Sequence, residues 1–474
     1  MTMTVSRTSR ANATFRFAEV LDQDLIGLFS EPGPYYTSYP TLSQWTQACG
    51  REEFARAIAA PGGMPASTTL YVHFPFCPRL CYYCICNATI STDRERIRGY
   101  LQLLLRNLDL LFAGLDRSGL IETIQSVHIG GGSPSFMEPQ EFLALANKIK
   151  SVVGRDRIEE FAVEVDPRTA DEEKFDAYHE AGVNRLSFGI QDFDPAVQEA
   201  INRVHSFEDV QALLTPDLRR RFPNINFDIL YGLPLQTRES FRRTIEQVIQ
   251  LAPERVALLK YAHVPEQRKH QRILDPYARP LGDELAWLFF EALDALVEAG
   301  WEHIGIDNFA KHGDKLAIAK RRGTLGRTFN GFAPDRKNNI IGVGPTSTFQ
   351  LDGHYFQNVY GLDEYMQDVA SNQFPVLRGY RLSPEDRLRR HVIESLMCSG
   401  VVCYEETRDA YGMDFCTHFR RELEAMDALV RKGVVEMRTE GLYVTQVGRG
   451  FLRNLCKVFD LYLPDNRAYK ISGP

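Results

Sequence analysis

The chain has 474 residues, 44% hydrophobic and 25% charged, a composition that suits a large globular enzyme with a sizeable core. A formal net charge of −7 weighs against a nucleic-acid partner, which would favour a basic surface. No stretch approaches the roughly 20 apolar residues of a membrane span, Met1 to Ala13 lacks the apolar block of a secretion signal, and 9 cysteines, an odd number in so long a chain, argue against a disulfide framework. A reducing, cytoplasmic setting is expected.

From about residue 68, short β-branched or aromatic runs alternate with helical stretches, the pattern of parallel strands covered by helices. The strand candidates are Leu70 to Phe76, Ser126 to Ile129, Glu160 to Val165, Arg185 to Ile190, Ile225 to Tyr231 and Arg255 to Tyr261. Six repeats predict an α/β barrel or partial barrel. Thr92-Asp-Arg-Glu95 reads as a capping box ahead of a helix with Ile97, Leu101, Leu104, Leu105 and Leu108 on its apolar face. Gly182 and Gly300 close the helices Asp171 to Ala181 and Asp283 to Ala299. Beyond about residue 380 come the helices Pro384 to Ser399 and Cys416 to Lys432 and a hairpin, Val434 to Val444, around Gly441. This predicts a small helical, winged-type unit over the barrel mouth. The division expected is an N-terminal extension at 1–67, the barrel at 68–375 and the cap at 376–474.

Directly after the first strand stand Cys77-x3-Cys81-x2-Cys84 and then Cys86. Three thiolates can hold three irons of a four-iron cluster and leave the fourth open to a second cofactor. A zinc knot is the alternative, though zinc favours two separated ligand pairs and these sulfurs fall within ten residues. Cys49, Cys398, Cys403, Cys416 and Cys456 lack ligand spacing and read as ordinary buried thiols. In parallel barrels reactive groups gather at the carboxyl ends of the strands. Here those ends carry Cys77, Gly130-Gly-Gly132, Glu164 and Asp166, Gln191, Asp228, and Ala262-His263. The glycine triplet suits either a turn or a close backbone approach to a ligand. Arg219-Arg-Arg221 and Lys320-Arg-Arg322 read as solvated faces, or as partners for carboxylates of an acidic substrate.

Cys77-Pro-Arg-Leu-Cys-Tyr-Tyr-Cys84 resembles the signature of radical S-adenosylmethionine enzymes, and Ile85-Cys86-Asn87 extends it as in the oxygen-independent coproporphyrinogen III oxidase family. Ordered matches run from Gly33-Pro-Tyr-Tyr-Thr-Ser-Tyr-Pro-Thr41 through Glu164-Val-Asp-Pro-Arg168, Asn202-Arg203 and Asp228-Ile-Leu-Tyr-Gly-Leu-Pro234 to Phe459-Asp-Leu-Tyr-Leu463. The resemblance implies a partial (β/α)6 barrel, one 4Fe-4S cluster on Cys77, Cys81 and Cys84, and two S-adenosylmethionine molecules. It implies cofactor contacts from Tyr71, Tyr83, Gly131, Gly132, Ser133, Glu164, Gln191, Arg203, Asp228, Ala262 and Thr348. Tyr71 would lie over the cluster, and Cys86 beside it without binding iron, although a packing thiol is an equal reading. Glu164 and Arg203 are expected to form a charge pair beside the crowded cofactors. Cleavage of S-adenosylmethionine to a 5'-deoxyadenosyl radical, hydrogen removal from a propionate β-carbon and loss of carbon dioxide would turn coproporphyrinogen III into protoporphyrinogen IX. The resemblance implies a monomer whose partner is a small tetrapyrrole substrate, with the electron donor and acceptor left open and no nucleic acid.

Several positions depart from the family pattern: Tyr35 for an arginine, Ile85 for a glycine, Asn308 for a histidine, Asn330 for a glutamine after Phe329, and Thr348 for an isoleucine. Phe329 and Asn330 are candidate catalytic residues with Tyr71 and Cys86, and the shorter Asn330 alters reach where position matters. These changes leave two further readings: a methyltransferase or cyclopropanase that uses two S-adenosylmethionine molecules, and a heme-binding carrier, against which Cys86 counts.

Overall fold

The computed structural model describes residues 15–59, 67–116, 118–336, 338–351 and 353–463; the expectation for Met1 to Ala13 lies outside the described residues. All six expected parallel strands are present: β1 (Ser67–Phe74), β2 (Ile124–Gly131), β3 (Glu160–Val165), β4 (Arg185–Gln191), β5 (Asn224–Tyr231) and β6 (Arg255–Lys260). They pair in that order, each parallel to the next. The sheet then grows at both sides. Beyond β6 lie β7 (Trp301–Ile304) and β8 (Asn308–Lys311), both antiparallel additions; beyond β1 lie β9 (Asn338–Val343), parallel to β1, then β10 (Thr348–Leu351), β11 (His354–Asn358) and β12 (Val376–Arg381). The result is one twelve-stranded sheet whose parallel centre makes the partial barrel.

The two-residue period of each strand separates packing from chemistry. Leu70, Val72 and Phe74 on β1, Val127 and Ile129 on β2, Val163 and Val165 on β3, and Phe227 and Ile229 on β5 all join one apolar core with the covering helices. The alternate residues Tyr71, His73, His128, Glu164, Ser187 and Asp228 are left for the inner face, where they hydrogen-bond to neighbours on that face. The first covering helix, Arg94–Leu115, starts one residue later than the sequence pattern suggests: Asp93, not Thr92, is its cap and accepts from the amides of Glu95 and Arg96. A carboxylate takes that place because it also faces the positive end of the helix dipole. Gly182 is left-handed (φ 86°) and ends Glu172–Ala181 as expected.

The N-terminal segment is bound to the helix Asp283–Glu298 and to the sheet by aromatic contacts. Phe29 stacks on Phe289 at 5.3 Å, Trp45 on Tyr355 at 5.2 Å, and Phe54 meets Phe349 at 4.6 Å. After β12, Pro384–Cys398, capped by Ser383 and Asp386, leads into a three-stranded sheet of Val401–Cys403, Gly441–Val444 and Val435–Arg438. This is the winged arrangement. The second helix differs from expectation, being split into Phe415–His418 and Arg420–Arg431 around Phe419, whose ring is fully buried against Phe415 and Phe459. Cys398 and Cys456 are buried thiols, but Cys416 is exposed on the first of these short helices. No described helix is long and apolar enough to cross a membrane.

At the amino ends of the strands a buried ionic group closes the barrel floor. Arg255 reaches Asp314 at 2.8 Å and Glu160 at 3.5 Å, and Glu160 meets Arg185 at 3.2 Å. Burial works to raise the Glu160 carboxyl, but Arg185 and Arg255 override it and hold it down at about 2. A depressed carboxylate stabilises the fold above its unfolded value of about 4.3 and loses that contribution as pH falls through the native value. Glu160→Gln should therefore cost about 3 kcal/mol at pH 7, with the gap to the unsubstituted chain closing between about pH 4 and pH 2. Urea denaturation across that range reads the difference.

Candidate functional site

The carboxyl end of the parallel sheet is built around the cysteine loop. Phe76–Cys77 pairs with Thr89–Ile90, which ties the two ends of the loop together. Its middle is held from three directions. The Asn202 side-chain amide donates to the Leu80 carbonyl at 2.7 Å and the Tyr82 amide to the Ile201 carbonyl at 3.0 Å. His270 Nε2 donates to the Cys84 carbonyl at 2.8 Å. Gln271, fully buried, donates to the Tyr83 carbonyl at 2.8 Å and the Ala262 carbonyl at 3.1 Å while accepting from the Val264 amide. Tyr83 packs beside Ile201, Leu230 and Tyr261. His270 and Gln271 carry no signal in the sequence, because they lie in a short 3-10 helix, Lys269–Leu274, far along the chain with no motif of their own.

Two arginines converge on one sulfur. Arg168 Nη2 stands 3.4 Å and Arg203 Nη1 3.5 Å from Cys81 Sγ. Both guanidiniums bind Asp166, at 2.7 and 3.0 Å. Burial acts to raise that carboxyl, but Arg203 and Arg168 hold it far below the ordinary aspartate value. The expected pair between Glu164 and Arg203 is not made. Glu164 lies on β3, where it accepts from His128 Nε2 at 3.1 Å and the Gly131 amide at 3.0 Å; Asp166, just past the strand end, is the carboxylate that reaches the cysteine loop. Nor is the ion pair a surface one, since Arg203 and Asp166 are both 7% exposed.

The glycine triplet runs along the same face. The Gly132 and Ser133 amides donate to the Phe74 and Phe76 carbonyls at 2.7 and 2.9 Å. Gly131 has φ +115°, and a Cβ there would stand 2.6 Å from the His73 ring; at Gly132 it would meet the Pro75 backbone at 2.7 Å. Only glycine fits. Tyr71 donates to, or accepts from, His73 Nδ1 at 3.1 Å and lies 5.7 Å from the His128 ring. Burial raises the Tyr71 phenol and lowers the His73 imidazole, so both stay neutral. Asp228, bonded by Asn226 at 2.8 Å, is pushed up to about 6 by burial and by the charge of Glu164. Gln191 ends β4 with φ +70° beside the Arg203 guanidinium.

The remaining candidates fall in two groups. Thr348 is buried on β10, next to Gly342, the register partner of Tyr71. Phe329 packs with Trp45, Ile340 and Tyr355, and Tyr71 leans on that cluster. Asn330, however, is exposed at the tip of the hairpin Gly326–Thr328 and Gly331–Ala333. Cys86 is exposed and hydrogen-bonds with the Cys84 thiol, which is not the environment of a packed thiol. Arg219 to Arg221 are taken by the Leu251 carbonyl and by Asp176 and Asp217.

Among the described residues no three His, Cys, Asp or Glu side chains come close enough to share a single ion. The trio of thiols instead suits a cluster that offers each its own iron. Asp166→Asn leaves Arg168 and Arg203 buried without their counter-charge, which costs about 3–5 kcal/mol. Denaturant titration of the cluster-free chain measures the loss, and a change below about 1 kcal/mol contradicts the pairing.

Residues 71–248 match the family model described as the Radical SAM superfamily. The oxygen-independent coproporphyrinogen III oxidase of Pseudomonas aeruginosa is 34% identical over 455 residues, covering 95% of this chain and 98% of that protein. The oxidase of the same name from Escherichia coli is 33% identical over 445 residues, 93% and 95% of the two chains. A solved structure of the Escherichia coli coproporphyrinogen III oxidase, described as a radical SAM enzyme, superposes with a TM-score of 0.83 at 32% identity, covering 90% of this chain and 97% of that one. With the cysteine loop, glycine cradle and strand-end carboxylates all in place on the same fold, the chain belongs to the oxygen-independent coproporphyrinogen III oxidase family of radical S-adenosylmethionine enzymes.

Proposed function

We propose that the chain catalyses the oxygen-independent oxidative decarboxylation of two propionates of coproporphyrinogen III to vinyl groups, giving protoporphyrinogen IX. The observation that carries this reading is the end-to-end similarity to oxidases of that name, joined to a complete cysteine loop at the carboxyl end of the barrel. A 4Fe-4S cluster and S-adenosylmethionine, when bound, supply the one-electron chemistry that removes a hydrogen from the propionate β-carbon. Each vinyl group also requires loss of carbon dioxide and of one further electron. Neither alkyl transfer nor heme carriage is favoured by these relatives.

The chain's own residues provide position and dryness. Cys77, Cys81 and Cys84 would hold the cluster, with the Arg168 and Arg203 guanidiniums beside Cys81. Gly131, Gly132 and Ser133 would present backbone to S-adenosylmethionine, and Tyr83, Gln191 and Ala262 would contact it. Glu164 and Asp228, together with Thr348 and Tyr71, serve a second S-adenosylmethionine. Two anionic side chains there offset the desolvation of a sulfonium and an ammonium. Phe329 backs Tyr71, while Asn330 stands at the exposed hairpin tip. The division into an extension at 1–67, a barrel at 68–375 and a cap at 376–474 fits this reading, with the outer two parts excluding water. Nine free thiols support a reducing cytoplasmic location, where the chain acts as a monomer.

Anaerobic reconstitution followed by incubation with coproporphyrinogen III, S-adenosylmethionine and a reductant tests the reading. Loss of two carboxyl groups together with 5'-deoxyadenosine is expected; S-adenosylhomocysteine with an alkylated product would replace it by alkyl transfer. Cys77→Ala, Cys81→Ala and Cys84→Ala should each lose the broad visible absorption of the reconstituted cluster, while Cys86→Ala keeps it. Asp228 should lose its charge as pH falls through about 6, so S-adenosylmethionine affinity should drop several-fold from pH 7.5 to pH 5.5, and Asp228→Asn should flatten that profile in equilibrium binding.

A further inference from the structure

Two residues before the glycine triplet, β2 carries His128 on its inner face. The register sets His128 level with Ala162 of β3, and Ala162 level with Arg185 of β4. All three point inward, because their chain neighbours Val127, Ile129, Phe161, Val163 and Leu186 belong to the apolar core on the other face. Ala162 brings only a methyl group, so the side chains on its two sides meet across it: Arg185 Nη2 stands 3.2 Å from His128 Nδ1. Two residues further along β3, Glu164 Oε1 stands 3.1 Å from His128 Nε2, and Glu164 Oε2 accepts from the Gly131 amide at 3.0 Å.

These partners fix where the imidazole proton sits. A guanidinium can only donate, so His128 Nδ1 carries a lone pair and the ring is the neutral form protonated at Nε2. The other two forms fail. An imidazolium would turn its Nδ1–H against the Arg185 N–H, and the tautomer protonated at Nδ1 would in addition set a bare Nε2 against a carboxylate oxygen. Arg185 is itself anchored by Glu160 at 3.2 Å, so the direction of each bond is set from the barrel floor upward. The Arg185 and His128 side chains are 16% and 17% exposed, whereas that of Glu164 is 37% exposed. The clamp is therefore covered while the carboxylate stays accessible. With one donor on each oxygen its plane is fixed, and each oxygen keeps acceptor capacity for the N–H of a ligand.

We propose that His128, locked by Arg185 in the tautomer protonated at Nε2, is a positioning residue that presents the Glu164 carboxylate to S-adenosylmethionine. The inference rests on the function proposed above, in which Glu164 serves that cofactor. A carboxylate already held in one orientation gives up less freedom when a cation binds it than one free to turn. Because Glu164 also holds the Gly131 amide, His128 sets the carboxylate and the first part of the glycine cradle together.

Two measurements on the full chain test this. In the cluster-free chain carrying 15N-labelled histidine, the His128 ring, assigned by the loss of its signals in His128→Gln, should show a protonated Nε2 and a bare Nδ1 at pH 7.5. A protonated Nδ1 overturns the lock. Equilibrium binding of S-adenosylmethionine to the reconstituted chain reads the positioning. Glutamine places an amide N–H where the Nε2–H stands, whereas asparagine ends at the Nδ1 position and falls short of Glu164. His128→Gln should bind within about threefold of the unsubstituted chain and His128→Asn about tenfold more weakly, roughly the worth of one hydrogen bond to a charged group. Circular dichroism melting and cluster absorption check that both variants fold and load. Equal affinity in the two variants overturns the positioning role, whether both are weakened or neither is. Glu164→Ala separates this from the functional reading. If it weakens binding while His128→Asn does not, the positioning role alone fails; unchanged binding in Glu164→Ala overturns the assignment of Glu164 to the cofactor and the positioning role with it.

Discussion

The buried group of Asp166, Arg168 and Arg203 is the constraint on which the site depends. One carboxylate holds two guanidiniums, and both reach the sulfur of Cys81. Arg203 also donates to the Gly189 carbonyl of β4 at 3.0 Å, and Arg168 to the Asn202 carbonyl at 3.1 Å. The cysteine loop is thereby tied to the ends of β3 and β4 through charge-assisted bonds in a dry setting, where such bonds are strongest. A loop this irregular would otherwise be among the more mobile parts of the molecule.

The sheet makes that arrangement possible by dividing its residues between two faces. Outward side chains of β1 to β5 fuse with the helices into one apolar core, which leaves the inward positions free to carry His128, Glu164, Ser187 and Asp228 without weakening the packing. The edges serve a different purpose. β9 to β12 carry Thr348 and the wall against which Trp45 and Phe329 pack, and the turn between β7 and β8 places Asp307 near Arg453.

Much of this is legible in the residues. The six parallel strands show as apolar runs of strand length, and the cysteine spacing alone marks the loop. The pairing of charges is not legible. Glu164 and Asp166 are two residues apart and chemically alike, and only the end of β3 decides that the second one meets Arg203. The strands after residue 300 carry no strong alternation: Asn338–Val343 is buried throughout, and Thr348–Leu351 is only four residues long. Gln271 and His270 are set by contacts across the chain with no local signal. Asn330 stands out as a substitution in a motif, yet its place at an exposed hairpin tip is decided by the fold alone.

The central claim is that three thiolates leave one iron open to S-adenosylmethionine at the barrel mouth. Electron paramagnetic resonance of the reduced, reconstituted chain, recorded with and without S-adenosylmethionine, addresses it most directly. The account predicts a 4Fe-4S signal whose g-values shift when S-adenosylmethionine is added. A centre whose spectrum is indifferent to S-adenosylmethionine, or one that persists when Cys77, Cys81 or Cys84 is replaced by alanine, would contradict it.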